Sequence, residues 1–115
     1  MNQPTIDPAV YAALQGTVGA EFAAELADTF FEEAAGMLNE LRNARADNYA
    51  DRFRRAAHSL KSNSGTFGAT RLAALARELE LKGLDADPAR DSAALAVLTA
   101  EYERAVAALK ALRDG

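Results

Sequence analysis

Apolar residues recur at steps of three, four or seven along most of this 115-residue chain, a spacing that places them on one face of an α-helix. Polar and charged residues fill the positions between them, and no stretch shows the strict alternation of a half-buried strand. The pattern therefore predicts an all-α protein. Its longest apolar stripe runs through the second predicted helix and consists of Val18, Phe22, Leu26, Phe30, Met37 and Leu41.

Aspartate, proline and glycine mark where the predicted helices begin and end. Asp7 and Asp87 each precede a proline, which is the combination of N-cap residue and first-turn proline that starts a helix. Short joints between long helices favour antiparallel neighbours. The expected fold is an up-down-up-down antiparallel four-helix bundle with a short additional N-terminal helix, in a single domain over 1–115. The predicted helices span residues 8–15 (ending at Gly16), 19–44, 47–67 (ending at Gly68), 70–82 (ending at Gly83) and 88–113.

Composition narrows the classes of function. Half of the residues are hydrophobic, enough for one core, and the net charge of −4 argues against a general nucleic-acid binder. With no cysteine and a single histidine, a zinc or thiolate metal site is not expected. No apolar run approaches the roughly 18 residues of a membrane span, and the first residues lack the features of a signal peptide. We therefore expect a monomeric cytoplasmic protein that does not bind a membrane.

The only histidine, His58, lies on the polar face of the third predicted helix. With a turn of about 100° per residue, His58 lies roughly 160° from the mean inward direction of that helix's apolar residues. An imidazole that titrates near neutrality is a competent nucleophile at physiological pH. Lys61 follows one helical turn later, where its ammonium can neutralise phosphoryl oxygens unless it is an ordinary surface lysine. The inward direction is defined by Tyr49, Phe53, Ala56, Leu60 and Phe67.

Small residues with poor helix propensity flank His58 in a chain that otherwise uses alanine freely. Gly65 in a helix interior costs about 1 kcal/mol relative to alanine, and Ser62 also gives up propensity. Residues that lower helix propensity without improving the structure often mark a functional site. Here the functional advantage is room for a partner's backbone over Ser62 and Gly65. The residues alone leave two interpretations open: a phosphoryl-carrying histidine, or a surface histidine beside a fraying helix end.

A carboxylate on the fourth predicted helix is expected beside His58. The chain reverses near Gly68, so positions ten before and ten to twelve after it lie level on antiparallel helices. Glu78 and Glu80 both fall in that window. Either carboxylate can accept the proton of one imidazole nitrogen and leave the other nitrogen free to attack, so both remain candidates at this stage.

The stretch from His58 to Gly68 resembles the histidine-containing phosphotransfer (HPt) domain family. That family's motif is a histidine, a leucine two residues on, a lysine at plus three, a small residue at plus four and a glycine at plus ten. Nearly the whole chain fits the family's helix order and size, and Ser62 is the visible departure because glycine is commonest there. The matching residues are His58, Leu60, Lys61, Ser62 and Gly68, followed at the family's spacing by Leu72, Leu75, Leu79 and Glu80.

The resemblance implies that His58 is phosphorylated and that the protein is not a kinase by itself. It implies that His58 takes a phosphoryl group from an aspartyl phosphate and passes it to another aspartate. The partners are then receiver domains of a hybrid histidine kinase, of response regulators, or of both. The family pattern also favours Glu80 over Glu78. No cofactor is expected in this chain, because any Mg²⁺ would belong to the receiver domain and no nucleotide-binding loop is present.

Further residues are candidates for binding such a receiver. Arg54 and Arg55, one turn before His58, are expected to pair with the acidic rim of a receiver's active site. Phe31 and Leu38 lie off the main apolar stripe of the second predicted helix, and the resemblance makes them an expected docking patch beside His58, unless the first helix or another neighbour covers them.

Two other functions remain open from the sequence. One is a non-catalytic helical adaptor in which His58 is incidental. The other is a detached phosphotransfer module of a chemotaxis-type histidine kinase, whose phosphoryl donor is an ATP-charged kinase domain; the ending Thr66-Phe67-Gly68 is shared with that group.

Overall fold

A computed structural model of the chain describes residues 4–115. Residues 1–3, which are part of the predicted single domain and of the N-terminal stretch without signal-peptide features, lie outside the described residues. The described part contains helices and no strand, so the all-α prediction is confirmed. The helices are α1 (Pro8–Val18), α2 (Ala20–Ala46), α3 (Ala50–Thr66), α4 (Thr70–Lys82) and α5 (Pro88–Asp114).

The capping residues begin two of the helices as predicted. The side chain of Asp7 accepts a hydrogen bond from the backbone N–H of Ala9 at 3.0 Å, and Asp87 does the same for Ala89 at 3.0 Å. These bonds satisfy N–H groups that have no partner within the first turn of a helix. The predicted bounds of α4 also match the structure.

Two predicted boundaries were wrong. α1 continues through Gly16 and ends before Gly19, whose φ of 90° takes the backbone out of the helix. Gly16 has an open environment and a helix tolerates it at a cost of about 1 kcal/mol, whereas a positive φ ends the helix. α3 begins at Ala50 and not at Asp47, because Asp47 follows the last turn of α2 and Asn48 has a φ of 56°.

Alanine forms much of the buried face of α2. Phe22, predicted to lie in the core, is 51% exposed, and Tyr49 is equally exposed because it precedes the first turn of α3. The buried face of α2 predicted from its large apolar residues was therefore displaced from the observed one. Small alanines let neighbouring helices approach closely, but they do not stand out in an apolar pattern. The residues of α2 that are buried are Ala23, Ala27, Phe30, Ala34, Leu38, Leu41 and Ala44.

The helix that carries His58 is held between two others. α3 packs against α2 on one side and α4 on the other, while α5 contacts both α2 and α4, and α1 lies against α2. The outer face of α3 is thereby left open to solvent. No helix within residues 4–115 has both the length and the apolar character needed to cross a membrane.

The turn between α3 and α4 requires glycine. Gly68 has a φ of 76°, and a Cβ there would lie 2.8 Å from the carbonyl oxygen of Asp7 and 2.9 Å from the Cβ of Val10. The backbone N–H of Asp7 donates to the carbonyl oxygen of Gly68 at 2.8 Å. The start of α1 therefore holds this turn, and the turn fixes how α3 and α4 lie beside each other.

Candidate functional site

Three side chains from α3 and α4 meet on the open face of the protein. His58 Nδ1 lies 2.7 Å from Glu80 Oε2, and Lys61 Nζ donates to Glu80 Oε1 at 2.8 Å. The imidazole is 57% exposed, which confirms the outward direction predicted from the helix turn, whereas the Glu80 side chain is only 19% exposed. One carboxylate therefore holds the imidazole and the ammonium together.

The charge of Glu80 determines which imidazole nitrogen carries the hydrogen. Hydrogen bonds from Lys61 and then His58 lower the pKa of the Glu80 carboxyl from its ordinary value. The carboxylate is therefore ionised at neutral pH and can only accept hydrogen bonds, so Nδ1 must be the donor. Among the described residues nothing bonds to Nε2, so the lone pair of Nε2 is not engaged by the protein itself.

The choice between the two glutamates is made by the side of α4 on which each lies. Glu78 is exposed and borders a groove between α4 and α5 together with Lys82 and Val97. It therefore faces away from α3, and Glu80 is the carboxylate that reaches His58. The preference given to Glu80 by the resemblance agrees with this placement.

The surface next to His58 is open at the two positions predicted to provide clearance. Ser62 and Gly65 are both exposed on α3. A Cβ at Gly65 would meet no atom within 4 Å, so nothing within the described protein requires a glycine there. Gly65 therefore lowers helix propensity without improving the packing of the protein itself.

The two arginines before His58 are exposed and already paired. Both contact Asp51 one turn earlier on α3, and Arg55 Nε lies 3.1 Å from Asp51 Oδ2. Their guanidinium groups are exposed on the helix that carries His58, and Asp51 balances part of their charge.

The predicted apolar docking patch on α2 was wrong. Leu38 is 3% exposed and belongs to the core, because it lies on the alanine-rich buried face of α2. Phe31 packs towards α5: its carbonyl oxygen accepts a hydrogen bond from the Tyr102 hydroxyl at 2.8 Å, and the Lys110 ammonium lies 5.6 Å from its ring centroid. With Leu38 in the core and Phe31 against α5, the two side chains do not form an exposed patch together.

A groove between α2 and α3 lies on the side of His58 where the docking patch was expected. Its volume is about 470 Å³. Gly36, an exposed residue inside α2 whose Cβ would meet nothing within 4 Å, lines this groove and was not among the residues predicted from the sequence. The signal that singled out Gly65, a helix-interior glycine in an alanine-rich chain, applies equally to Gly36. The residues that line the groove are Glu33, Gly36, Met37, Glu40, Arg52, Arg55, Ala56 and Ser59.

Possible metal ligands are sparse around His58. Within residues 4–115 no group of three or more histidine, aspartate or glutamate side chains is placed to hold a metal ion. The single carboxylate beside His58 already accepts hydrogen bonds from two donors.

Comparison with known proteins agrees with the fold. A family model described as the Hpt domain matches residues 25–111. The crystal structure of histidine-containing phosphotransfer protein B from Pseudomonas aeruginosa PAO1 is similar to this chain, with a TM-score of 0.83, 28% sequence identity and 96% of each chain covered. A search of curated proteins gives no significant match.

The chain belongs to the Hpt domain family. It is a histidine phosphotransfer carrier of phosphorelay signalling, within the two-component systems in which such domains interact with receiver domains. Its class is that of phosphoryl carriers and not of kinases.

Proposed function

We propose that His58 is the residue that carries the phosphoryl group. Its Nε2 attacks the phosphorus of a receiver's aspartyl phosphate, a P–N bond forms, the P–O bond to the aspartate breaks, and the aspartate leaves as a carboxylate. The reverse step passes the group to an aspartate of another receiver. The observation that carries the proposal is the 2.7 Å contact of Glu80 with Nδ1 of an imidazole that is 57% exposed.

Glu80 and Lys61 are proposed to have separate tasks. Glu80 keeps the hydrogen on Nδ1, so that Nε2 presents its lone pair, and it stabilises the positive charge that the ring gains on attack. Lys61 neutralises the phosphoryl oxygens; its ammonium is held 2.8 Å from Glu80 and lies on the adjoining turn of α3. Phosphoryl transfer depends mainly on such positioning and charge stabilisation.

We also propose how the chain is organised as a working unit. Residues 1–115 form one domain that acts as a monomer in the cytoplasm, with α2 to α5 as an antiparallel up-down-up-down bundle and α1 as the additional helix. The succession of contacts α2–α3, α3–α4, α4–α5 and α5–α2, which closes a ring of four helices, supports this arrangement. The protein needs no cofactor, and any Mg²⁺ belongs to the receiver.

The phosphoryl donor distinguishes this function from its alternatives. Incubation with ATP and Mg²⁺ alone is expected to leave the protein unmodified, because no nucleotide-binding loop is present in the sequence. Incubation with receiver domains phosphorylated by acetyl phosphate is expected to give an acid-labile phosphoprotein while the donor loses phosphate. Charging only by an ATP-bound kinase domain would instead favour the chemotaxis-type module, and no charging by either would favour the adaptor.

The role of Glu80 is tested by Glu80→Ala, with Glu78→Ala as the matched control on the same helix. Without the carboxylate, the neutral ring is expected to shift towards the Nε2–H tautomer and the rate of transfer to fall by about 100-fold, the lower end of the range for one oriented proton-transfer partner. Because His58 is the only histidine, its ring ¹⁵N signals at alkaline pH report the tautomer without ambiguity. Equal ¹⁵N shifts and rates in the two variants would contradict the proposed role.

A further inference from the structure

Most of the positive charge around His58 is engaged by carboxylates of the same chain. Arg54 and Arg55 share Asp51, and Lys61 is bonded to Glu80. An engaged cation must give up or share its partner before it can pair with a docked protein, which reduces the net gain from the new contact. A cation without such a partner contributes more to binding.

Arg77 on α4 is a cation of this kind. It is exposed, and no ion pair or side-chain hydrogen bond joins it to the other residues between 4 and 115. It lies three residues before Glu80, which rotates it by roughly 60° from the direction of Glu80 towards solvent. Glu80 points towards α3, so Arg77 stands on the outer edge of α4 that borders α3.

The register of the two helices places Arg77 on the open face that holds His58. α3 and α4 run antiparallel from the turn at Gly68, and His58 contacts Glu80. Lys61 is three residues after His58 on α3, and Arg77 is three residues before Glu80 on α4. Because the helices are antiparallel, Lys61 and Arg77 are level with each other. Arg77 thus extends the open face onto α4, on the side opposite the groove that Arg55 lines.

We propose that Arg77 pairs with a carboxylate of the receiver domain that docks over His58, and that this contact selects which receivers bind. The inference rests on the proposed function of His58. A chain of net charge −4 repels an acidic partner overall, so an uncompensated guanidinium next to the reacting group directs an acidic rim to this face. Lys61, on the same helix as His58, neutralises the phosphoryl oxygens. Arg77 therefore acts on the docking of the receiver and not on the chemical step.

The test compares Arg77→Gln with Arg90→Gln. Arg90, in the first turn of α5, is also exposed, and it too lacks an ion pair or side-chain hydrogen bond within the described range. Both variants therefore remove one unpaired positive charge, but α5 packs against α2 and α4 and contributes nothing to the His58 cluster. The probe is a receiver domain, phosphorylated with acetyl phosphate, that charges the wild-type protein.

Transfer is measured over a range of receiver concentrations at low and high salt. Arg77→Gln is expected to raise KM by about 3- to 10-fold at low salt with kcat unchanged, and to weaken the salt dependence of kcat/KM. Arg77→Lys is expected to recover most of the KM, and Arg90→Gln to match the wild type. Equal KM values for Arg77→Gln and Arg90→Gln would overturn the proposal, as would a lower kcat at constant KM, which would place Arg77 at the phosphoryl group. If no receiver charges the wild-type protein, the proposed function of His58 is contradicted, and the inference about Arg77 is contradicted with it.

Discussion

Replacing His58 by glutamine is expected to abolish phosphoryl transfer while the protein stays folded. The imidazole is more than half exposed and His58 is not one of the core residues, so the free energy of unfolding should change by no more than about 0.5 kcal/mol. Glutamine has no nucleophilic nitrogen, and the chain contains no second histidine to replace it. Acid-labile phosphate after incubation with a phosphorylated receiver measures the loss.

The matched control for this variant is Ser59→Ala. Ser59 is the next residue on α3 and is also exposed, so its substitution perturbs the same surface but leaves the imidazole in place. It should retain acid-labile phosphorylation, and thermal melts followed by circular dichroism should show both variants folded. A folded His58→Gln protein that still took up acid-labile phosphate would exclude His58 as the carrier.

Replacing Gly65 by glutamine is expected to stabilise the protein and to block exchange with the receiver. A Cβ at this position would meet no atom within 4 Å. Replacing a glycine in a helix interior raises the stability of the helix by up to about 1 kcal/mol. The same side chain stands on the open face, in line with His58 along α3. Reacting atoms must approach to about 3–3.5 Å, and a misplacement of about 1 Å can cost 100-fold in rate. Thermal melts and transfer rates measure the two effects separately.

Gly16→Gln provides the control for helix propensity. Gly16 is an exposed residue inside α1 whose Cβ would also meet no atom within 4 Å. Its substitution should raise the melting temperature by a similar mechanism and leave transfer unchanged. If Gly65→Gln melts higher and still exchanges phosphate at the wild-type rate, clearance for a partner does not explain the glycine.

The local signals in the sequence predicted the helix ends that are set by local chemistry. Asp7 and Asp87 cap their helices, and Gly68 and Gly83 adopt positive φ after α3 and α4. Capping and positive φ depend on one residue and its immediate neighbours, so a sequence reveals them directly. Gly16 was misjudged because a helix tolerates a glycine with a helical φ.

The inward face of α2 was harder to predict because several faces of this helix carry large apolar residues. Phe22 fits the apolar spacing yet is half exposed, while Leu38, assigned to an outer patch, is buried. The buried face is chosen by close packing of Ala23, Ala27 and Ala34 against neighbouring helices, and alanine is too common in this chain to mark a face by itself.

The amino-acid pattern is enough to show that the protein is helical, that His58 faces outward on α3 and that Lys61 lies one turn away on the same helix. Each of these follows from helical periodicity within one element. The choice between Glu80 and Glu78 depends instead on how α4 packs against α3. The two residues are two positions apart, about 200° around α4. The turn at Gly68, held by the start of α1, sets the register and rotation of α4 against α3, and this long-range packing brings Glu80 to within 2.7 Å of His58.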